Sequence, residues 1–374
     1  MSEIIKKEKE RIVWITPDCF YDVDWPIVDS LVDYYDIRWY VLWAPYCKRS
    51  LPNNPNITKF IRLKYSWVDP RNIWESYSIA KMIGKEDAKL VYNGNNGFPA
   101  FFPFLFKRIP AEKIIYEGHE IDPYHVQKND KLHIAYFLSF IKKIGLTQVF
   151  SRHTEKMFHE MYPGRRCCYI PMVPKDYGKP KNLLQFDGKK VFLFFGTIRN
   201  SKRLDLLLDA FNMLDNLHQE RAVVLVYGKC WRCDPDVFEE KSKGNKNIVL
   251  KMDFVPDEIV ADLYASSHYL VQPYDWISQS GPTMIAFNYN TPIIASDIDG
   301  FTERIHDKQD GYLFHKGDVE DLKRVLEYCI EQSEDDYLQI KKKQAEFVKD
   351  EYSLPVVVAK YRQMLDNRIF ELEK

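Results

Sequence analysis

Arg199 and Lys202 are two permanent cations on one short stretch, Gly196 to Arg203, that joins an apolar run to an amphipathic one. Val191 to Phe195 is an unbroken series of valine, leucine and phenylalanine, which suits a strand buried on both faces of a parallel sheet. From Leu204 the period changes, with Leu204, Leu207, Leu208 and Phe211 at helical spacing. The two cations therefore lie where a glycine turn at Gly196 feeds a helix N-terminus, and there unpaired amides and the helix dipole already favour an anion. A phosphate or diphosphate is the guest this chemistry suits. A solvated turn carrying two surface cations is the alternative.

A second helix start lies further on. The buried-strand pattern Tyr269 to Gln272 is followed by a polar loop, Asp275 to Ser280, and then by Gly281-Pro282. Glycine allows close backbone approach and proline suits the first helical turn, so two helix N-termini with Arg199 and Lys202 would neutralise a diphosphate without a metal ion. His119, in Glu117-Gly118-His119-Glu120, follows a predicted strand ending at Tyr116 and so stands at a strand's C-terminal end, as a binding or catalytic imidazole would. Three Asp-x-Asp triplets, Asp22–Asp24, Asp234–Asp236 and Asp297–Asp299, have the form of a divalent-ion clamp, but 54 acidic residues make such triplets expected by chance. Cys230-Trp231-Arg232-Cys233 lacks a second ligand pair for zinc and reads as reduced thiols.

Alternating strand and helix patterns must position these groups. Strands are predicted at Arg11–Thr16, Ile37–Leu42, Ile57–Leu63, Ala88–Tyr92, Lys113–Tyr116 and Gln148–Ser151, with helices over Pro26–Tyr35, Asn72–Ile83, Leu132–Ile144 and from Thr154. Residues 171–190 are rich in proline and lysine and read as a linker. Beyond it the alternation restarts through strands at Val191–Phe195, Ala222–Tyr227, Ile248–Lys251, Tyr269–Gln272 and Pro292–Ala295. The expected organisation is thus a first Rossmann-like domain over 1–172, a linker over 173–190 and a second over 191–353, with a helix over 354–374 crossing back to the first. Parallel sheets of this kind carry ligands at their strands' C-terminal ends, facing a central cleft.

The 374 residues exceed one ordinary core. With 45% apolar and 29% charged residues and a net charge of −1, the chain has no bulk basic excess of the kind nucleic-acid binders carry. Seven scattered cysteines and the charged start MSEIIKKEKE point to a reducing cytoplasm. Phe98–Phe106 (FPAFFPFLF) is too short and too proline-rich to span a bilayer; packing against the sheet is the favoured reading, and a peripheral contact with the inner membrane face, helped by Lys107, Arg108 and Lys113, is the other.

The segments FFGTIRNSKRLDLLLDAF, DFVPDEIVADLYASSHYLVQPY and NTPIIASDIDGFTERI together resemble the donor-binding half of the retaining glycosyltransferases of family four, whose fold is GT-B; in the first half only EGHE, VFSRHTEKMF and IPMVP look familiar. The resemblance implies transfer of a hexose-type sugar from a UDP- or GDP-linked donor to a saccharide or lipid-linked saccharide, in cell-surface glycan synthesis, with retained anomeric configuration and no metal or cofactor. Arg199 and Lys202 would grip the diphosphate beside Gly196, and His119 would approach the donor sugar. The family's glutamate pair would fall near Ile277 and on Ile285, so Ser278, Gln279, Ser280, Gly281 and Thr283, with Glu303 as a substitute carboxylate, are the expected donor-binding groups. A catalytically silent glycan- or partner-binding protein, and a nucleotide-sugar epimerase or hydrolase, are the competing expectations.

Overall fold

Short apolar strands, each followed by a helix or loop that returns to the same sheet edge, force parallel pairing with right-handed crossovers. The computed structural model describes residues 8–47, 49, 51–66, 69–94, 101–119, 121–122 and 138–374. Contacts divide the chain into two units, Met1–Met172 with Leu354–Lys374, and Val173–Ser353.

The first unit holds β1 (Arg11–Pro17), β2 (Asp36–Trp43), β3 (Ile57–Arg62), β4 (Leu90–Asn93), β5 (Ile114–Glu117), β6 (Leu146–Val149) and β7 (Cys167–Tyr169). They form one parallel sheet in the order β3-β2-β1-β4-β5-β6-β7. Its centre is aromatic: Trp14 and Tyr92 are fully buried and stack at 3.8 Å. The Leu354–Leu372 helix belongs to this unit, where the Tyr361 and Tyr92 hydroxyls meet at 3.3 Å and the Tyr35 hydroxyl donates to Asp366 at 2.6 Å.

The second unit holds β8 (Lys190–Phe195), β9 (Ala222–Tyr227), β10 (Ile248–Lys251), β11 (Tyr269–Gln272), β12 (Ile293–Ser296) and β13 (Gly311–Phe314), ordered β10-β9-β8-β11-β12-β13 and parallel throughout. Phe192, Leu193 and Phe194 are fully buried, each contributing about 1.5–3 kcal/mol by burial, as a strand covered on both faces demands. In both sheets the strand order reverses at the middle, between β1 and β4 and between β8 and β11. Loops leaving the C-terminal ends of those strands diverge there and leave a crevice.

The structure differs from the sequence expectations at several elements. The first helix spans Tyr21–Leu31 rather than Pro26–Tyr35, so Pro26 lies inside it and Asp24 in its first turn. β7, β13 and the helices Val319–Glu331 and Glu334–Tyr352 were not anticipated, although Asp318 and Ser333 cap those helices in the ordinary way. Phe101–Phe106 forms a short helix whose Phe102 stacks on Phe140 at 4.1 Å, within the core. Residues 132–137 of the expected Leu132–Ile144 helix lie outside the described residues, as do Phe98 and Glu120, while residues 138–141 are helical. Among the described residues no helix is long and apolar enough to cross a membrane. The residues after Val173 run without regular structure up to β8 yet are pinned along the second unit: the Lys175 amide donates to Met284 O, and the Lys181 and Asn182 amides donate to the Asp262 carboxylate.

Candidate functional site

In the second unit β8 ends in a turn that only glycine makes comfortably, since Gly196 has φ +101°. The Gly196 amide donates to Tyr227 O at 2.9 Å, and a Cβ on Gly228 would lie 1.8 Å from Gly196 O, so the ends of β8 and β9 interlock backbone to backbone. Ile198 then bridges to Cys230, and Asn200–Lys202 forms one 3-10 turn. Arg203 takes a left-handed conformation at φ +49°, and its guanidinium pairs with Asp205 at 3.0 Å and with Asp275 at 3.3 Å. The Asp275 amide donates to Ser201 O at 2.9 Å, which ties the loop after β11 to the loop after β8.

The loop after β11 ends at the Gly281–Tyr289 helix. Pro282 takes the first turn, and the Ser280 hydroxyl caps the helix by accepting from the Thr283 amide at 3.2 Å. Gln272 at the end of β11 locks this cap: its Nε2 donates to Ser280 Oγ and its Oε1 accepts from Thr283 Oγ1, both at 2.7 Å. Ser280 and Thr283 are therefore buried parts of the helix start, with their side chains engaged by Gln272. The two loops meet: a Cβ on Gly196 would stand 3.4 Å from Pro282 Cγ and 3.7 Å from Lys202 Nζ, and one on Gly281 would stand 3.8 Å from Lys175 Nζ. The structure thus gathers Gly196, Lys202 and Gly281 with Lys175, a residue the sequence reading passed over as linker. Lys202 Nζ also lies 5.1 Å over the Tyr274 ring, which fixes the ammonium beside this turn.

Other expected residues stand as follows. Arg199 is exposed at the start of the 3-10 turn. Ser278 is buried and Gln279 half-buried on the loop. Glu303 pairs with the buried Arg304 at 3.3 Å, and Arg304 also donates to Gly300 O. Ile277 packs so tightly on Gly300 that a Cβ there would meet Ile277 O at 2.9 Å, and Ile285 is buried. The Asp-x-Asp triplets have local partners: Asp22 with Arg49, Asp234 capping a helix, and the exposed Asp297 with the His315 ring, which outweighs partial desolvation and keeps the Asp297 carboxylate below the usual range. Cys233 Sγ approaches Ile198 O at 3.4 Å and Cys230 Sγ approaches Met252 Sδ at 4.0 Å.

In the first unit Glu117 closes β5, and the His119 amide turns back to Glu117 O at 3.1 Å, a tight turn that places the imidazole beside the carboxylate. His119 Nε2 lies 2.9 Å from Glu117 Oε1, and Phe20 stacks on the ring at 3.3 Å with Phe150 at 4.6 Å. Burial pushes the Glu117 carboxyl up to about 8. Asp24, which the sequence offered only as a triplet member, is fully buried and accepts from Trp14 Nε1 at 3.0 Å and Thr16 Oγ1 at 2.6 Å, on the same Oδ2.

Residues 189–332 match the family described as glycosyl transferases group 1. No curated protein sequence matches the chain significantly. Among solved structures, the sucrose-phosphate synthase of Thermosynechococcus elongatus is similar with a TM-score of 0.74 at 13% identity, over 96% of this chain and 99% of that one. HepE of Anabaena, solved with UDP and glucose, is similar with a TM-score of 0.71 at 13% identity, over 96% of this chain and 100% of that one. TarM of S. aureus, solved as a mutant with fondaparinux, α-GlcNAc-glycerol and UDP, is similar with a TM-score of 0.62 at 17% identity, over 80% of this chain and 59% of that one. The chain's two parallel-sheet, Rossmann-like units have the fold of the GT-B glycosyltransferases, and residues 189–332 carry a glycosyl transferases group 1 domain.

Proposed function

We propose that the chain is a retaining, metal-independent glycosyltransferase that moves a hexose-type sugar from a UDP- or GDP-linked donor to a saccharide or lipid-linked saccharide acceptor. The observation that carries this reading is the convergence of the Gly196 turn, Lys202 Nζ and the Gly281–Tyr289 helix start at the β8/β11 reversal, within the matched domain. A diphosphate is the anion such a place suits: two ammonium groups, Lys175 and Lys202, lie near it, and the helix dipole adds to them. Arg199, exposed on the same loop, supplies a forked donor.

Departure of the diphosphate builds negative charge on the leaving oxygens and oxocarbenium character on the sugar. Preformed cations that strengthen their hold as that charge develops lower the barrier, with no carboxylate nucleophile. In this reading Ser278, Gln279 and Gly281 contact the donor, Ser280 and Thr283 hold the helix start in place, Glu303 orients Arg304, and His119 serves the sugar. A catalytically silent binder is the second reading, favoured by the apolar, buried Ile277 and Ile285 where the family resemblance expects glutamates.

The test is release of nucleoside diphosphate from a panel of UDP- and GDP-sugars with a mixed saccharide acceptor pool in excess chelator. The proposal expects acceptor-dependent release that falls at least about tenfold in Arg199→Ala and Lys202→Ala, the loss of about one charge-assisted contact. Nucleotide binding without release would favour the silent reading, and release that needs Mn²⁺ would overturn metal independence.

A further inference from the structure

Two fully buried carboxyl groups, Asp24 and Glu117, lie within electrostatic reach of each other in the first unit, and among the described residues neither forms an ion pair with a lysine or arginine. Gly94, just after β4, makes the approach possible: a Cβ there would stand 2.4 Å from Glu117 Oε2, so the missing side chain is the notch through which Glu117 reaches towards β1. On the β1 side Thr16 and Trp14 hold Asp24 by its Oδ2, and Trp39 Nε1 in turn donates to Thr16 Oγ1 at 2.8 Å. Each carboxyl group acts electrostatically on the other.

The donors present leave a specific gap. Asp24 Oδ2 takes two donors and Glu117 Oε1 faces His119 Nε2, but among the described residues Asp24 Oδ1 and Glu117 Oε2 are both buried acceptors without a donor. Two bare carboxylates at this depth would repel one another and remain desolvated, and each buried acceptor left without a donor destabilises the fold. One proton between Oδ1 and Oε2 satisfies both orphaned atoms at once. A proton placed on Glu117 Oε1 and given to His119 would leave both of them bare.

We propose that Asp24 and Glu117 share a single proton between Asp24 Oδ1 and Glu117 Oε2, and that this pair is a positioning device that keeps the ring proton of His119 on Nε2. Glu117 Oε1 is then an acceptor, and the neutral imidazole has its lone pair on Nδ1. The other titratable groups facing the pair are the Tyr92 and Tyr361 phenols, and burial together with the Glu117 charge holds both neutral. The pair's single negative charge thus has His119 as its only cationic partner among the described residues.

The protonation pattern stands on this geometry alone, while its use in catalysis rests on the transferase reading, and the experiment separates the two. Side-chain ¹⁵N NMR of histidine-labelled full chain is recorded across roughly pH 5–9, the range in which imidazole titrates, with His119→Gln identifying the His119 signals. The expected result is Nε2 protonated and Nδ1 pyridine-like in the neutral form. In Glu117→Gln the pH of His119 titration moves down by about one unit or more, because its carboxylate partner is gone. In Asp24→Asn it does not move down, since the new amide donates to Glu117 Oε2 and the charge stays. A Gly94→Ala variant, which crowds Glu117 Oε2, perturbs the His119 titration with both carboxyl groups intact, and thermal unfolding of every variant shows that it folds. An Nδ1-protonated neutral ring, or equal downward shifts in Asp24→Asn and Glu117→Gln, overturns the proposal. If the chain releases nucleoside diphosphate, the acid limb of its pH–rate profile moves with the His119 titration in the same variants, and a limb that stays fixed overturns the catalytic use of the pair. Absence of any turnover, with the NMR result as expected, overturns the transferase reading and leaves the shared proton standing.

Discussion

Replacing Gly196 by alanine perturbs the proposed anion site at its tightest point while leaving its surroundings in place. Two terms follow from the structure. The residue sits at φ +101°, where a side chain adds strain of about 1–3 kcal/mol, so the variant is less stable but folded. The added methyl meets Pro282 Cγ at 3.4 Å and Lys202 Nζ at 3.7 Å, which is ordinary contact, so overpacking adds little. That methyl nevertheless fills the notch between the two loops where a phosphate oxygen must approach the ammonium. Losing one charge-assisted contact of about 1.5–3 kcal/mol lowers affinity about ten- to a hundredfold. Calorimetric titration with UDP and with GDP, together with denaturant unfolding, reads both terms. Gly228→Ala is the contrast: its Cβ would fall 1.8 Å from Gly196 O, backbone against strand, and the expected outcome is a loss above about 4 kcal/mol or failure to fold. A folded Gly196→Ala protein that binds both nucleotides as tightly as the parent refutes this placement of the site.

Thr283→Val keeps the shape of the helix start but leaves Gln272 Oε1 buried without its donor, and the second unit should lose about 1–3 kcal/mol in urea unfolding, with Thr283→Ser close to neutral. His268 accepts from the Val191 amide through Nδ1 at 3.0 Å, and burial, with Lys190 nearby, pushes its pKa down from 6.5 to about 4. The folded state therefore favours the neutral ring: the stability it contributes is complete above about pH 6.5 and is lost as pH falls towards 4, a slope that should flatten in His268→Gln when urea midpoints are compared across that range.

Much of the second unit was legible because its signals are local. Val191–Phe195 and Leu204–Phe211 differ in period, and a glycine turn between them can hardly be read otherwise. Gly281-Pro282 likewise announces a helix start, and Ser280 caps it. What stayed hidden depends on tertiary contact. Lys175 looked like one more linker lysine, and only the pinning of its backbone to Met284 brings its ammonium to Gly281. Ser280 and Thr283 read as open hydroxyls because nothing local shows that Gln272 reaches them. Asp24 was one aspartate of a triplet, and its partnership with Glu117 is made by a notch at Gly94, far from both in sequence. β7 was missed because three residues carry no measurable alternation.

Hydrogen–deuterium exchange of the full chain, with and without saturating UDP or GDP, tests the central claim most directly. The account predicts that one of these nucleotides protects both Gly196–Lys202 and Ser278–Met284, segments separate in sequence and joined at one anion site. Protection confined to other segments, or none with either nucleotide at saturation, contradicts it.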